Sequence, residues 1–501
     1  MIVQFGRRLL QNNMEDLSMA SKSQMSARDR IASLLDENSF VEVGAAVTKR
    51  NTDFNATETA APSDGVITGY GVIEGNPVFV YSQDASVLGG SIGEMHATKI
   101  ARIYDLATKT GAPVVGLVDC SGLRLEEATD ALAAFGFVFK KEVRASGIVP
   151  QITAVFGNCG GGSAVLAALS DVVVMEKENA KLFVNNPNTI DDNSVEKCDT
   201  SSAAYMAANG QVDIVAEDEL DVLTNVRKLV AVLPQCNEED PSIAEEGQDL
   251  NRSLDNLDAE LKDTALAIAD IADPGSVIEL KKEYGKDVVT ALIKLNGVTT
   301  GAIANRRAIL DENGKTVTKF DGRMSKDACE KVSDFVKLCD AFNIPVFTLV
   351  DVEGFEAKKC SEAGLAKSVA EMAYAFADAT VPKISIVAGK AYGTAYIALN
   401  SKHIGADLVF AYDDAKIGTM DSKLAAQILY ADELKNDGDG SLTAKKAAEY
   451  EEKSESAASA AKRGYVDDVI EKAATRQHLI YAFEMLYSKR ETRIAKKHGT
   501  V

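Results

Sequence analysis

The chain repeats itself. Residues 111–122 read GAPVVGLVDCSG and residues 343–354 read NIPVFTLVDVEG, with six of twelve positions identical. Residues 149–161 (VPQITAVFGNCGG) and 381–393 (VPKISIVAGKAYG) share six of thirteen. Both pairs stand 232 residues apart. A copy of that length is a whole domain, not a solenoid unit. The repeat predicts two domains of one fold, read as residues 1–245 and 260–501, and 501 residues suffice for two cores.

The pattern inside each copy predicts α/β. Largely apolar runs at 113–119, 150–156 and 172–175 alternate with helical stretches at 96–109, 132–146 and 162–169. Continuous β-branched runs between helices mean strands buried on both faces of a parallel sheet. Strands 66–73 and 77–81 precede them as a hairpin, echoed over 288–304. Residues 308–322 form a polar insertion without a counterpart, and the acidic stretch 237–262 has the composition of a linker. The tail 443–497 alternates Ala, Lys and Glu at helical spacing, which predicts a helical arm.

Composition narrows the function. A net charge of −21 repels phosphates and argues against nucleic acid. No apolar run reaches the length of a membrane span. Seven scattered cysteines without CxxC fit reduced thiols in a cytoplasm. Four histidines lack metal-ligand spacing, so no metal is expected, and His96 reads as a packed or surface residue rather than a base.

Each half places two glycine-bearing turns at strand ends, where open α/β sheets bind ligands. The first half has Asp119–Arg124 (DCSGLR) and 157–163 (GNCGGGS); the second has 351–355 (DVEGF) and 389–395 (GKAYGTA). Glycine lets backbone approach a ligand, and a helix start offers free N–H groups. Two such amides converging on one oxygen would make an oxyanion hole. The alternative is that these are tight strand–helix turns alone. No GxSxG elbow, phosphate-loop motif or Cys/His/Asn set competes.

At these residues the chain resembles the biotin-dependent acyl-CoA carboxyltransferases. The resemblance rests on Met25–Arg30, GGSIGEMH at 89–96, SGIVPQI at 146–152, residues 339–345 and 375–383, and KAYG at 390–393. It implies two tandem crotonase-like domains related by internal duplication. It also implies an acyl-CoA substrate on the N-terminal side, biotin on the C-terminal side, and no metal. The N–H groups near Gly122, Leu123, Gly161 and Gly162 would hold a thioester enolate. Those near Gly354, Phe355, Gly393 and Thr394 would hold the biotin ureido oxygen beside Tyr392.

The basic residues Lys140, Lys141 and Arg144 would take CoA phosphates, or are a solvated helix face. Biotin would arrive on a separate carrier protein, since no AMKM-like site occurs. A biotin carboxylase or membrane decarboxylase subunit would be a further partner. The chain would form a dimer or trimer of dimers, or pair with a homologous subunit. The resemblance leaves open a non-catalytic scaffold and a biotin-independent crotonase-type enzyme.

Three departures from the family pattern bear on the site. The first-half turn carries Leu123, the second-half helix begins Gly393-Thr394 rather than with two glycines, and Glu353 brings a negative charge. A threonine at 394 would be strained if its φ were positive.

Overall fold

The computed structural model describes residues 24–52, 61–239, 249–436, 440–497 and 499–501. The start of the chain and the middle of the acidic stretch lie outside them.

Each half builds one eight-stranded sheet. The first contains β1 (Val41–Glu42), β2 (Val66–Ile73), β3 (Asn76–Gln83), β4 (Val114–Cys120), β5 (Gln151–Gly160), β6 (Val172–Glu176), β7 (Lys181–Phe183) and β8 (Ile214–Ala216). Its order is β1-β2-β3-β4-β5-β6-β8, with β7 beside the end of β5. β1, β2 and β3 are antiparallel; every pairing from β3 onward is parallel. The parallel strands are Val- and Ile-rich and buried, because helices cover both faces.

The second half repeats this with β9 (Ile278–Leu280), β10 (Val288–Leu295) and β11 (Val298–Asn305). The polar insertion is a hairpin, β12 (Ala308–Leu310) and the exposed β13 (Thr316–Lys319), followed by β14 (Arg323–Met324). β15 (Val346–Val352), β17 (Lys383–Tyr392), β18 (Leu408–Ala411), β19 (Lys416–Gly418), beside β17, and β20 (Asp468–Val469) complete the sheet, and β16 (Gly354–Phe355) pairs with β14 outside it. The order β20-β18-β17-β15-β11-β10-β9 mirrors the first sheet.

Two expectations change. The tail is not a helical arm. It breaks into helices Ser441–Tyr450 and Ala457–Lys462, the edge strand β20, and helix Thr475–Leu486. That last helix is the counterpart of Glu219–Val232, and an arginine proves the match. Arg227 donates to the Leu34 carbonyl and Asp36; Arg476 donates to the Ile271 carbonyl and Asp273. Both tie a C-terminal helix to the end of an N-terminal one, so the tail closes the second copy. Exposed Ala, Lys and Glu hid the buried Leu479, Ile480 and Phe483.

Nor does the described part of the acidic stretch run free. Leu254 and Leu257 are buried in the second half's core, and Arg252 pairs with Asp270 at 3.1 Å. The halves themselves share one apolar cluster that runs from Ile31 and Val226 to Phe335 and Phe376.

Candidate active site

The glycine turns stand at the ends of the central strands. In the first half Cys120 of β4 is register partner to Cys159 of β5. Beyond them the chain reverses at Gly122, whose φ of 110° excludes most side chains. The next residues are pinned to Ile92, which donates to the Gly122 carbonyl (2.9 Å) and accepts from Arg124 N–H (3.0 Å). In such a parallel bridge the middle residue faces its own amide the other way. Leu123 N–H therefore points outward, with no protein acceptor among the described residues.

Arg124 fixes that turn from beneath. Its buried guanidinium pairs with Asp64 and, at 2.9 Å, with Glu127, and donates to the Ser91 carbonyl at 2.7 Å. His96 lies in the same polar cluster, between the Asp64 carbonyl (2.9 Å) and Gln83 (3.1 Å). Burial, helped by the Arg124 and Lys99 charges, lowers its pKa to about 3. It is a packed neutral ring and not a surface one.

Facing this turn, β5 runs on to Gly160, so Gly157–Gly160 are strand and not turn. Gly157 is glycine for room: a Cβ there would lie 2.2 Å from the Asp119 carboxylate. The turn itself is Gly161, at φ 60°. Its N–H is already donated to the Phe183 carbonyl at 2.8 Å, so it is not available to a ligand. Gly162 opens the helix Gly162–Leu169, whose first amides have no intrahelical acceptor. A Cβ on Gly122 would stand 3.4 Å from the Gly160 carbonyl, which brings the two turns side by side. Around a Cβ built on Gly161 nothing lies within 4 Å.

The second half repeats these relations. Val352 is register partner to Ala391, Met324 to Phe355, and Glu356 N–H donates to the Met324 carbonyl at 2.8 Å. Gly354 (φ 143°) opens onto empty space, and Gly393 (φ 60°) carries the reversal. Thr394 therefore needs no positive φ and sits unstrained in helix Gly393–Ala398, which packs against β16. Tyr392 is the buried residue before that helix. Glu353 is not a bare charge: Arg307 (2.9 Å) and Lys390 (3.1 Å) both pair with it.

One residue escaped notice at the sequence level although both copies show it. Asp119 and Asp351 occupy equivalent places. Each carboxylate is held by an arginine, Arg30 or Arg307, and each fills the space above a glycine, Gly157 or Gly389. Asp351 also accepts from Lys390 N–H at 2.8 Å. The shared LVD of the repeat was the available signal.

Lys140, Lys141 and Arg144 lie on helix Ala128–Ala145, beyond the Phe135 that touches Gly162. Lys140 and Arg144 are exposed, and Lys141 is bound to Asp105 at 2.5 Å.

The carboxyl transferase domain matches residues 19–501. The chain belongs to this family. It is 37% identical to the methylmalonyl-CoA decarboxylase subunit alpha of Propionigenium modestum, over 96% of this chain and 94% of that one. Identity is also 37% with the propionyl-CoA carboxylase beta chain of Roseobacter denitrificans, at the same coverage. The structure of a transcarboxylase 12S hexamer, with methylmalonyl-coenzyme A and methylmalonic acid bound, superposes with a TM-score of 0.90 at 36% identity, over 96% of this chain and 93% of that one. The two sheets of this carboxyltransferase are thus tandem crotonase-like domains.

Proposed function

We propose that this carboxyltransferase moves a carboxyl group between biotin on a separate carrier protein and a propionyl- or methylmalonyl-CoA-type thioester. The observation that carries this reading is the duplicated turn. Each half presents a strand-end amide (Leu123 or Phe355) beside a helix start (Gly162 or Thr394).

In the first half, Leu123 and Gly162 N–H would share the thioester oxygen and stabilise the enolate that forms when the α-carbon loses its proton or carboxyl group. Gly161 then acts as the hinge that aims Gly162, since its own amide is spent on Phe183. In the second half, Phe355 and the amides opening helix Gly393–Ala398 would hold the ureido oxygen. The open space at Gly354 suits a flat ring that approaches the backbone closely. Carboxybiotin would supply CO2 and the base, so the chain needs no catalytic side-chain base. Arg307 and Lys390 keep Glu353 from opposing an anion there.

The basic helix residues Lys140 and Arg144 would meet CoA phosphates. Oligomerisation, as in the transcarboxylase 12S hexamer, would bring first-half and second-half turns of different copies together.

The test is to incubate the purified chain with methylmalonyl-CoA and free biotin and to follow propionyl-CoA by chromatography. Biotin-dependent formation supports the reading. Absence of turnover together with tight binding to a homologous chain would make it a scaffold, and biotin-independent turnover another crotonase-type enzyme.

A further inference from the structure

Beneath the second turn lies a carboxyl group that the reaction does not use. Glu455 ends a short π-helical segment, Glu451–Glu455. Such widened turns re-aim single side chains. Glu455 is fully buried and its two carboxyl oxygens lack a well-formed hydrogen bond among the described residues; the donor that faces them is the Tyr392 phenol. Its neighbours are acidic. Asp421, before helix Ser422–Leu429, and Glu451, one turn back, both face it. Lys416 of β19 is nearby, but its ammonium is engaged with Glu451 at 2.9 Å. The Tyr392 phenol of β17 completes the surroundings.

The carboxyl occupies space that β19 leaves for it. A Cβ on Gly418 would stand 2.9 Å from Glu455 Cγ and 3.2 Å from Oε1. Gly418 is the register partner of Tyr392, and the next carbonyl, Thr419, lies 3.2 Å from where a Cβ on Gly393 would be. Glu455 thus supports β19, and β19 supports the turn that opens helix Gly393–Ala398. The equivalent strand in the first half, β7, positions Gly161 through the Phe183 carbonyl.

We propose that Glu455 is a positioning residue of the second site, holding the Tyr392–Thr394 turn through β19 as an uncharged acid. Its role in carboxyl transfer rests on the function proposed above. An ionised carboxylate buried beside two others, with a single phenol as donor, would be disfavoured in that place. Burial, then Asp421 and Glu451, raise its pKa from 4.5 to about 7, while Lys416 and Tyr392 work in the opposite sense. The folded state therefore binds the proton more tightly than the unfolded chain. The support is complete at low pH and is lost as pH rises through about 7.

Hydrogen exchange tests this without requiring turnover. Exchange of a peptide covering 388–398, corrected for the intrinsic pH dependence, is compared at pH 6 and 8.5 with that of 157–166. The wild type should lose on the order of tenfold protection at 388–398 alone, and E455Q, a permanent mimic of the neutral acid, should lose none. If E455Q does not fold, D421N serves, because removing that charge should move the transition to lower pH.

In the active enzyme, kcat/KM for free biotin should fall above pH 7 in the wild type and stay level in E455Q, with KM for the acyl-CoA unmoved. Identical pH courses in wild type and E455Q would overturn the proposal. So would equal loss at 157–166, or a transition unmoved by D421N. An inactive chain with the expected exchange pattern would instead sink the carboxyltransfer reading and leave the positioning role standing.

Discussion

The ring of Phe135 closes on Gly162: a Cβ on this glycine would stand 2.7 Å from the ring's Cε1. With the 232-residue offset, Lys367 takes the place of Phe135 and Thr394 that of Gly162. The second copy has a threonine where the first cannot, because the aromatic cap is gone. We expect G162A to displace the first turn, lowering kcat by about 10²-fold or more, as for loss of an oxyanion donor. F135L/G162A should recover part of that loss, and T394G should leave kcat within a few-fold of wild type. Steady-state kinetics with methylmalonyl-CoA and free biotin read all three.

Arg124 gives the Leu123 amide its direction. Removing one member of a buried ion pair strands the others, at about 3–5 kcal/mol. R124A should therefore lower stability by roughly that amount in urea titrations, against Asp64 and Glu127 left unpaired. R124K should retain folding better yet raise KM for the acyl-CoA, because one ammonium cannot reach Asp64, Glu127 and the Ser91 carbonyl together.

The Asp351–Arg307 pair should be as sensitive through its glycine as through its charges. In G389A the new methyl would lie 2.5 Å from the Asp351 carboxylate and drive it from Arg307 and Lys390 N–H. Overpacking of this kind costs typically about 1–3 kcal/mol. G157A should behave alike in the first half against Asp119. Equal melting temperatures for the variants and the wild type would refute this.

Stability should fall toward alkaline pH on account of Glu142. This carboxyl is buried, accepts from the Tyr104 hydroxyl at 3.0 Å, and has its second oxygen unpartnered. Burial raises its pKa from 4.5 to about 8, although the Tyr104 bond pulls downward. The native state holds the proton that the unfolded chain releases above pH 4.5. Its contribution is present below that value and lost as pH rises through about 8. E142Q should flatten the fall in urea midpoint between pH 6 and 9. A slope as steep in E142Q as in wild type would assign it to other groups.

Much of the site was legible in the linear chain because its parts are local. A glycine of positive φ at the end of a buried strand is written within a dozen residues, twice in each copy. What was not legible lies across the fold. Phe135 meets Gly162 from another helix, Asp64 reaches Arg124 over 60 residues, and Phe183 takes the Gly161 amide that sequence reasoning had offered to a ligand. The tail's place in the second copy lies across the fold in the same way. Arg476 shows its meaning only against Asp273, 203 residues away.

The repeat by itself determined the duplication, the parallel α/β cores and the four glycine turns, since burial and backbone conformation act through neighbours in sequence. The tertiary structure decided which amides remain free, why Gly162 and Thr394 differ, and that Glu353 is neutralised while Glu455 has no ion pair of its own among the described residues. Those outcomes depend on which groups meet in space, and a charge or an amide has no fixed meaning until its partner is in place.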